Sequence, residues 1–239
     1  MTVVSARNTG GEIPVVSFES REDWAAWLDR NHAASPGVWL RIGKKASGLR
    51  SVTYDEAVEA ALCYGWIDGQ KKTYDESSWL QKFTPRGRRS IWSKINREKV
   101  ERLIADGRMR PAGLAEVERA KTDGRWDAAY DSARSATVPD DLRAALDASP
   151  RAKAFFSTLS GANRYAILFR VQTAKKPETR ARRVREFVRM LERGEAPHPL
   201  IGESRPKSGS ARPIDETPDR GEIRKRGTRH DLPKKKDRR

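Results

Sequence analysis

Between Phe83 and Asn96 the chain reads Phe-Thr-Pro-Arg-Gly-Arg-Arg-Ser-Ile-Trp-Ser-Lys-Ile-Asn. Arg86, Arg88, Arg89 and Lys94 surround two hydroxyls, Ser90 and Ser93, and an aromatic able to reach solvent, Trp92. Guanidinium forks grip phosphate or carboxylate oxygens through two parallel hydrogen bonds. Ser93 and Asn96 stand where a helix begins, and a helix start favours anions. The segment predicts a ligand site for an anion at Arg86, Ser90, Trp92, Ser93 and Asn96, with Arg88, Arg89 and Lys94 as further anion contacts. The same residues also fit a basic loop in which Ser90, Ser93 and Asn96 only cap helices and form turns.

A second group is Gly65-Trp-Ile-Asp-Gly69. Two glycines around a short strand require a turn or a close approach at each end. Asp68 then sits at a cleft mouth, accepting hydrogen bonds from a ligand; the structural alternative makes it a turn cap behind a packed Trp66 and Ile67. A third group is Ala174-Lys-Lys-Pro-Glu-Thr-Arg180, where Lys175 and Arg180 are candidate contacts for nucleic acid or another anion. More often such a charge run is the solvated face of an amphipathic helix. Lys121 and Trp126 are spaced to bring an ammonium beside an indole, or simply to pack a helix end.

Several chemistries are disfavoured. Histidine occurs only at 32, 198 and 230, so a histidine general base or triad is not expected. One cysteine, Cys63, gives neither zinc spacing nor a disulfide scaffold. It falls on the apolar side of a helix, where a buried structural thiol is expected. There is no phosphate-cradling loop and no dinucleotide fingerprint. No cofactor is called for, and no catalytic constellation is recognisable.

The elements that must position these groups follow from periodicity. Residues 14–19 read as a strand. Ser20 and Asp23 resemble a capping box that opens a helix to about Asn31. Val38–Ile42 alternates as a strand. Thr53 and Glu56 form a second capping box before Ala57, Val58, Ala61 and Leu62, and Gly65 ends that helix. Trp66–Lys72 and Ser78–Thr84 are two more strands. Asn96 is read as the N-cap of a helix over 97–106 closed by Gly107, with Val100, Leu103 and Ile104 inward. Pro111 starts another helix, ended by Gly124. Four helical segments follow, at 139–147, 150–159, 161–174 and 177–193, with prolines in first turns. The predicted fold class is α+β, a small mostly antiparallel sheet packed by helices. It comprises a flexible start at 1–13, an α+β domain at 14–130, a helical module at 138–194 and a disordered basic tail at 197–239.

The fixed order of several segments resembles a known family. They are Gly65-Trp-Ile-Asp-Gly69, Phe83-Thr-Pro-Arg86, Ser90-Ile-Trp-Ser-Lys-Ile-Asn96, Gly107-Arg-Met109, Ala120-Lys-Thr-Asp-Gly-Arg-Trp126, Val138-Pro139 and Ala174-Lys-Lys-Pro-Glu-Thr-Arg180. The chain resembles the bacterial YdeI/OmpD-associated (OmdA-like) proteins, also called bacteriocin-protection proteins, over roughly residues 18–194. The resemblance implies a link to protection against bacteriocins or cationic peptides, or to a porin. It implies no particular chemical reaction.

Charge frames the functional reading. The 239 residues carry 49 Lys and Arg against 33 Asp and Glu, a net charge of +16. Residues 82–110 and 164–193 each hold ten basic and three acidic residues, so the excess is not confined to the tail. Such patches give salt-dependent binding to phosphates. No stretch of 18 apolar residues exists to span a membrane, and the N-terminus lacks the basic start and apolar run of a secretory signal. The sequence thus predicts a cytoplasmic protein that binds an anionic small molecule or nucleic acid. The alternative is an enzyme on a small anionic substrate, with Arg86 holding the anion and Asp68 as acid or base.

Overall fold

The computed structural model describes residues 13–200. The expected flexible start and the basic tail lie almost wholly outside them. The chain is still held at His198, whose backbone N–H donates to Asn163 Oδ1 at 2.8 Å.

Six elements build the first half. They are β1 (Val15–Ser17), α1 (Arg21–Asn31), β2 (Val38–Gly43), α2 (Tyr54–Cys63), β3 (Trp66–Thr73) and β4 (Ser78–Pro85). The strands form one sheet in the order β1-β2-β4-β3. β2 pairs antiparallel with β4, and β4 with β3. β1 runs parallel to β2, so the sheet is mixed, with its parallel pair bridged by α1.

The Thr53–Glu56 capping box forms as read, while at Ser20 only the side-chain half forms, with Ser20 Oγ also donating to Asp23 Oδ2 at 2.9 Å. Ser20 Oγ accepts from Asp23 N. Thr53 Oγ1 accepts from Glu56 N, while the Glu56 carboxylate accepts from Thr53 N at 3.0 Å. Val38, Leu40 and Ile42 alternate inward along β2, the period of two that a one-sided sheet needs. They meet Trp24 and Leu28 of α1, the apolar residues of α2, and Trp66 and Phe83. Trp24 Nε1 donates to the Ala57 carbonyl at 3.1 Å, so its polar atom is satisfied in the core. Each such large side chain contributes about 1.5–3 kcal/mol by burial.

Helices α3 (Lys94–Ala105) and α4 (Pro111–Thr122) complete this half. Here one reading is corrected. The N-cap of α3 is Ser93, whose hydroxyl accepts from Asn96 N at 3.2 Å. Asn96 is therefore the third residue of the helix and not its cap. Ile104, expected inward, is 41% exposed; Val100 and Leu103 alone are buried on that helix. The start of α4 packs very close to the end of α2. A Cβ on Gly113 would lie 2.3 Å from the Cys63 carbonyl oxygen, so the contact requires glycine.

Four helices follow: α5 (Asp140–Asp147), α6 (Pro150–Thr158), α7 (Gly161–Gln172) and α8 (Pro177–Glu192). Leu142, Leu146, Phe156, Ile167, Val171, Val184, Phe187 and Leu191 are buried among them. The core of the first half ends at Ala129. Tyr130 and Asp131 join the halves. Tyr130 meets Phe169 edge-on at 4.9 Å, and Gln172 Nε2 donates to Asp131 Oδ2 at 2.6 Å. No helix among the described residues is long and apolar enough to cross a membrane.

Candidate anion site around Arg86

Arg86 follows the last residue of β4. Its backbone N–H donates to the carbonyl of Gly65 at 2.9 Å, and Gly65 turns with a φ of 72° between α2 and β3. This link fixes Arg86 beside the start of β3, which carries Asp68. The Arg86 side chain turns inward and is 5% exposed. Its guanidinium lies 3.5 Å over the centre of the Trp92 ring. Trp92 meets Trp126 edge-on at 4.9 Å and is 2% exposed. The expected solvent-reaching tryptophan is thus a core residue, because Arg86 covers one ring face and Trp126 blocks another side.

Only one guanidinium nitrogen of Arg86 is satisfied. Nη1 donates to the Ile91 carbonyl at 3.3 Å. Nε and Nη2 are buried with no hydrogen-bond partner. These two nitrogens form one edge of the fork, the edge that takes a carboxylate or phosphate side-on. Burial, the largest influence, lowers the Arg86 pKa from its ordinary 12.5 to about 10. Glu116, Tyr130 and Asp68 act in the opposite direction by attraction.

Two tyrosines complete the surroundings. Tyr54, the first residue of α2, donates its hydroxyl to Asp68 Oδ2 at 2.7 Å. Burial first, and then this bond, push its phenol pKa upward. Tyr54 is 39% exposed and so forms the solvent side of the cluster. Tyr130 is drawn in by backbone pairing across the loop before α3: its N–H donates to the Trp92 carbonyl, and its carbonyl accepts from Lys94 N at 2.8 Å. Burial and Asp68 raise the Tyr130 phenol, while Arg86 and a hydrogen bond from Ser93 lower it. Tyr54, Arg86 and Tyr130 thus all feel the charge of Asp68. The two tyrosines carry no spacing signal that marks them beforehand.

The other candidate residues separate from this cluster. Ser90 Oγ accepts from Gly87 N at 3.1 Å and shapes the turn. Asn96 is half-buried on α3, its N–H in the Ser93 cap. Arg88 and Arg89 are exposed on the loop. Lys94 reaches Asp131 Oδ1 at 2.6 Å. Arg180 pairs with both oxygens of Asp141, at 2.6 and 2.8 Å. Lys175 is exposed at the other end of the same loop. Lys121 pairs with Glu118 at 2.8 Å, and its expected contact with Trp126 is replaced by the Trp92–Trp126 pair. Among the described residues no group of histidine, cysteine and carboxylate side chains is arranged to hold a metal ion.

Comparison with known proteins matches two separate stretches of the chain. Residues 16–116 match a family model described as a domain of unknown function (DUF8412). Residues 135–194 match the model described as Bacteriocin-protection, YdeI or OmpD-Associated. No curated protein and no solved structure matches the chain. The resemblance read across 18–194 thus resolves into two models, and the helical segment at 135–194 is the part that matches the YdeI/OmpD-associated one.

Proposed function

We propose that this chain is a cytoplasmic binding protein for a small organic anion, held by the unpartnered edge of Arg86. The observation that carries the reading is the pair Nε and Nη2, buried on one edge without an acceptor. A buried donor without a partner costs about 1–3 kcal/mol, more for a charged group. A bound oxyanion satisfies both donors at once. Asp68 and the phenols of Tyr54 and Tyr130 then accept from, or donate to, hydroxyl or amine groups on the same ligand. We read residues 14–130 as the ligand-binding domain and 138–194 as a second domain that carries Lys175 and Arg180. A chain of net charge +16 repels cationic peptides, so protection against them, where the family name applies, would act through an anionic ligand.

Inorganic phosphate titrated against the full chain tests this reading. Thermal stability is expected to rise with phosphate and the rise to disappear in R86M. Equal rises in both proteins reject the Arg86 site.

A second reading, nucleic-acid binding, has its own observations. Arg88 and Arg89 are exposed. On the sheet, Lys72 Nζ lies 4.1 Å and Lys82 Nζ 5.8 Å from the centre of the Trp39 ring, a basic aromatic surface of the kind on which bases stack. Fluorescence anisotropy with a labelled single-stranded oligonucleotide is expected to show salt-sensitive binding weakened by K72A/K82A. No binding at 50 mM salt rejects this reading.

A further inference from the structure

A cleft of about 310 Å³ opens on the other side of α2 from the Tyr54 end. Its floor is apolar: Ala25 from α1, Ala60 and Cys63 from α2. Its rim carries three guanidinium groups, on Arg21, Arg108 and Arg110, against one carboxylate, on Glu22. Arg108 lies in the Gly107-Arg-Met109 segment and Arg110 ends the basic stretch 82–110, but the spacing marks none of the three as a ligand contact. They come together because three chain turns meet here. Arg21 opens α1. Gly107, with a φ of 65°, turns the chain out of α3, and Arg108 N donates back to the Leu103 carbonyl at 2.9 Å. Arg110 N donates to the Cys63 carbonyl at 3.1 Å, which holds the start of α4 against the end of α2.

The rim is not neutralised evenly. Arg108 reaches Glu59 Oε2 at 3.4 Å, and Arg21 reaches its exposed neighbour Glu22 at 3.2 Å. Arg110 has no carboxylate within ion-pair distance among the described residues, and it lies beside the Tyr64 phenol. Tyr64 is itself anchored by donating to Asp29 Oδ1 at 3.2 Å. The cleft therefore combines an apolar floor with surplus positive charge at its edge. A volume near 300 Å³ lies at the small end of the range for ligand pockets, which suits a single ring or a short alkyl chain.

We propose that this cleft is a second ligand site, taking a small aryl or alkyl oxyanion with its charge on Arg110, flanked by Arg21 and Arg108, and its apolar body on Ala25, Ala60 and the Cys63 thiol. It shares no residue with the Arg86 cluster, so the two proposals stand or fall separately.

Phenyl phosphate and phenylacetate are the probes, with benzyl alcohol as the neutral control, titrated calorimetrically into the full chain, R110M and R86M. Both anions are expected to keep in R86M one of the binding events seen in the parent, and R110M is expected to weaken that event at least ten-fold. Benzyl alcohol is expected to bind at least ten-fold more weakly than either anion. R21M repeats the test if R110M loses its circular-dichroism spectrum. Cys63, the only cysteine in the chain, reports location: its alkylation by iodoacetamide is expected to slow when phenyl phosphate saturates the protein. Absence of anion binding, equal affinity for R110M and the parent, loss of binding in R86M, tight binding of benzyl alcohol, or a Cys63 rate unaffected by bound ligand each overturns the proposal.

Discussion

Replacing Arg86 by methionine separates a ligand-binding arginine from a structural one. Methionine keeps a long flexible side chain over Trp92 and removes the charge. Burial lowers the Arg86 pKa from 12.5 to about 10. At about 1.4 kcal/mol for each factor of ten, the charged form is disfavoured in the folded chain by roughly 3 kcal/mol. The bond from Nη1 to the Ile91 carbonyl returns about 1.5–3 kcal/mol. The stack on Trp92 at 3.5 Å adds about 1–2 kcal/mol. These terms offset one another, so Arg86 contributes little net stability without a ligand. R86M is therefore expected to unfold in urea within about 1 kcal/mol of the parent. Phosphate at a hundred times its Kd should stabilise the parent by about 2.7 kcal/mol and R86M by none. Without phosphate, the difference in stability between parent and R86M should not vary between pH 6 and 8, because Arg86 is charged in folded and unfolded chains alike. As pH rises through about 10, the folded parent loses this proton before the unfolded chain does, so the parent should gain stability relative to R86M. A loss of more than about 3 kcal/mol in R86M, with its phosphate response intact, would refute the reasoning and make Arg86 a loop anchor.

Three further outcomes are expected. Gly113→Ala should lower stability by about 1–3 kcal/mol in thermal denaturation, because its methyl group would meet the Cys63 carbonyl at 2.3 Å; an unchanged Tm would show that α2 and α4 are not locked at this point. Asp131→Asn should cost about 1–2 kcal/mol at pH 7. The bonds from Lys94 and Gln172 hold the Asp131 pKa below the usual carboxylate range, so its contribution is complete above about pH 4 and fades as pH falls through the lowered value; a deficit that persists unchanged at pH 2 would contradict this assignment. Arg183→Lys keeps the charge but loses the planar fork that reaches the Arg170 carbonyl. Its unfolding midpoint should fall by an amount worth about 1 kcal/mol, and a midpoint equal to the parent's would count against carbonyl capping.

What could be read from the sequence was what depends on near neighbours. The Thr53–Glu56 capping box needs only residues three apart, and it forms as written. Gly107 and Gly124 close their helices with φ of 65° and 75°, since that conformation admits few residues other than glycine. Asn96 was misplaced because Ser93, three residues earlier, is an equally good cap, and the pairing of residue 93 with Tyr130 settles the start of α3. The depth of Trp92 depends on Trp126 and Arg86, neither of which is marked by periodicity. Tyr54 and Tyr130 are 76 positions apart and reach Asp68 and Arg86 only through the sheet and the loop before α3. The cleft was invisible for the same reason, since its arginines come from α1 and from the corner between α3 and α4.

The arginine content now has a physical use beyond attraction to anions. Where the chain leaves a carbonyl without a backbone donor, an arginine often supplies one. Arg125 Nη1 donates to the Ser90 carbonyl at 2.7 Å, Arg97 Nη1 to the Trp126 carbonyl at 3.3 Å, and Arg143 Nη2 to the Val138 carbonyl at 3.1 Å. At the end of α7, Arg183 reaches the Arg170 carbonyl in this way, and Arg180 Nη1, at 3.2 Å, joins Ala174 N on the Val171 carbonyl. Helix C-termini leave carbonyls unsatisfied and carry partial negative charge, so cationic donors suit them. A guanidinium can cap a carbonyl and pair with a carboxylate at once, as Arg180 does with Val171 and Asp141; its fork geometry separates it from lysine in this role. In the two basic stretches Arg97, Arg180 and Arg183 are thereby committed to holding the fold. That commitment sharpens the significance of Arg86, whose second edge meets no acceptor, and of Arg110, which has no carboxylate at ion-pair distance among the described residues.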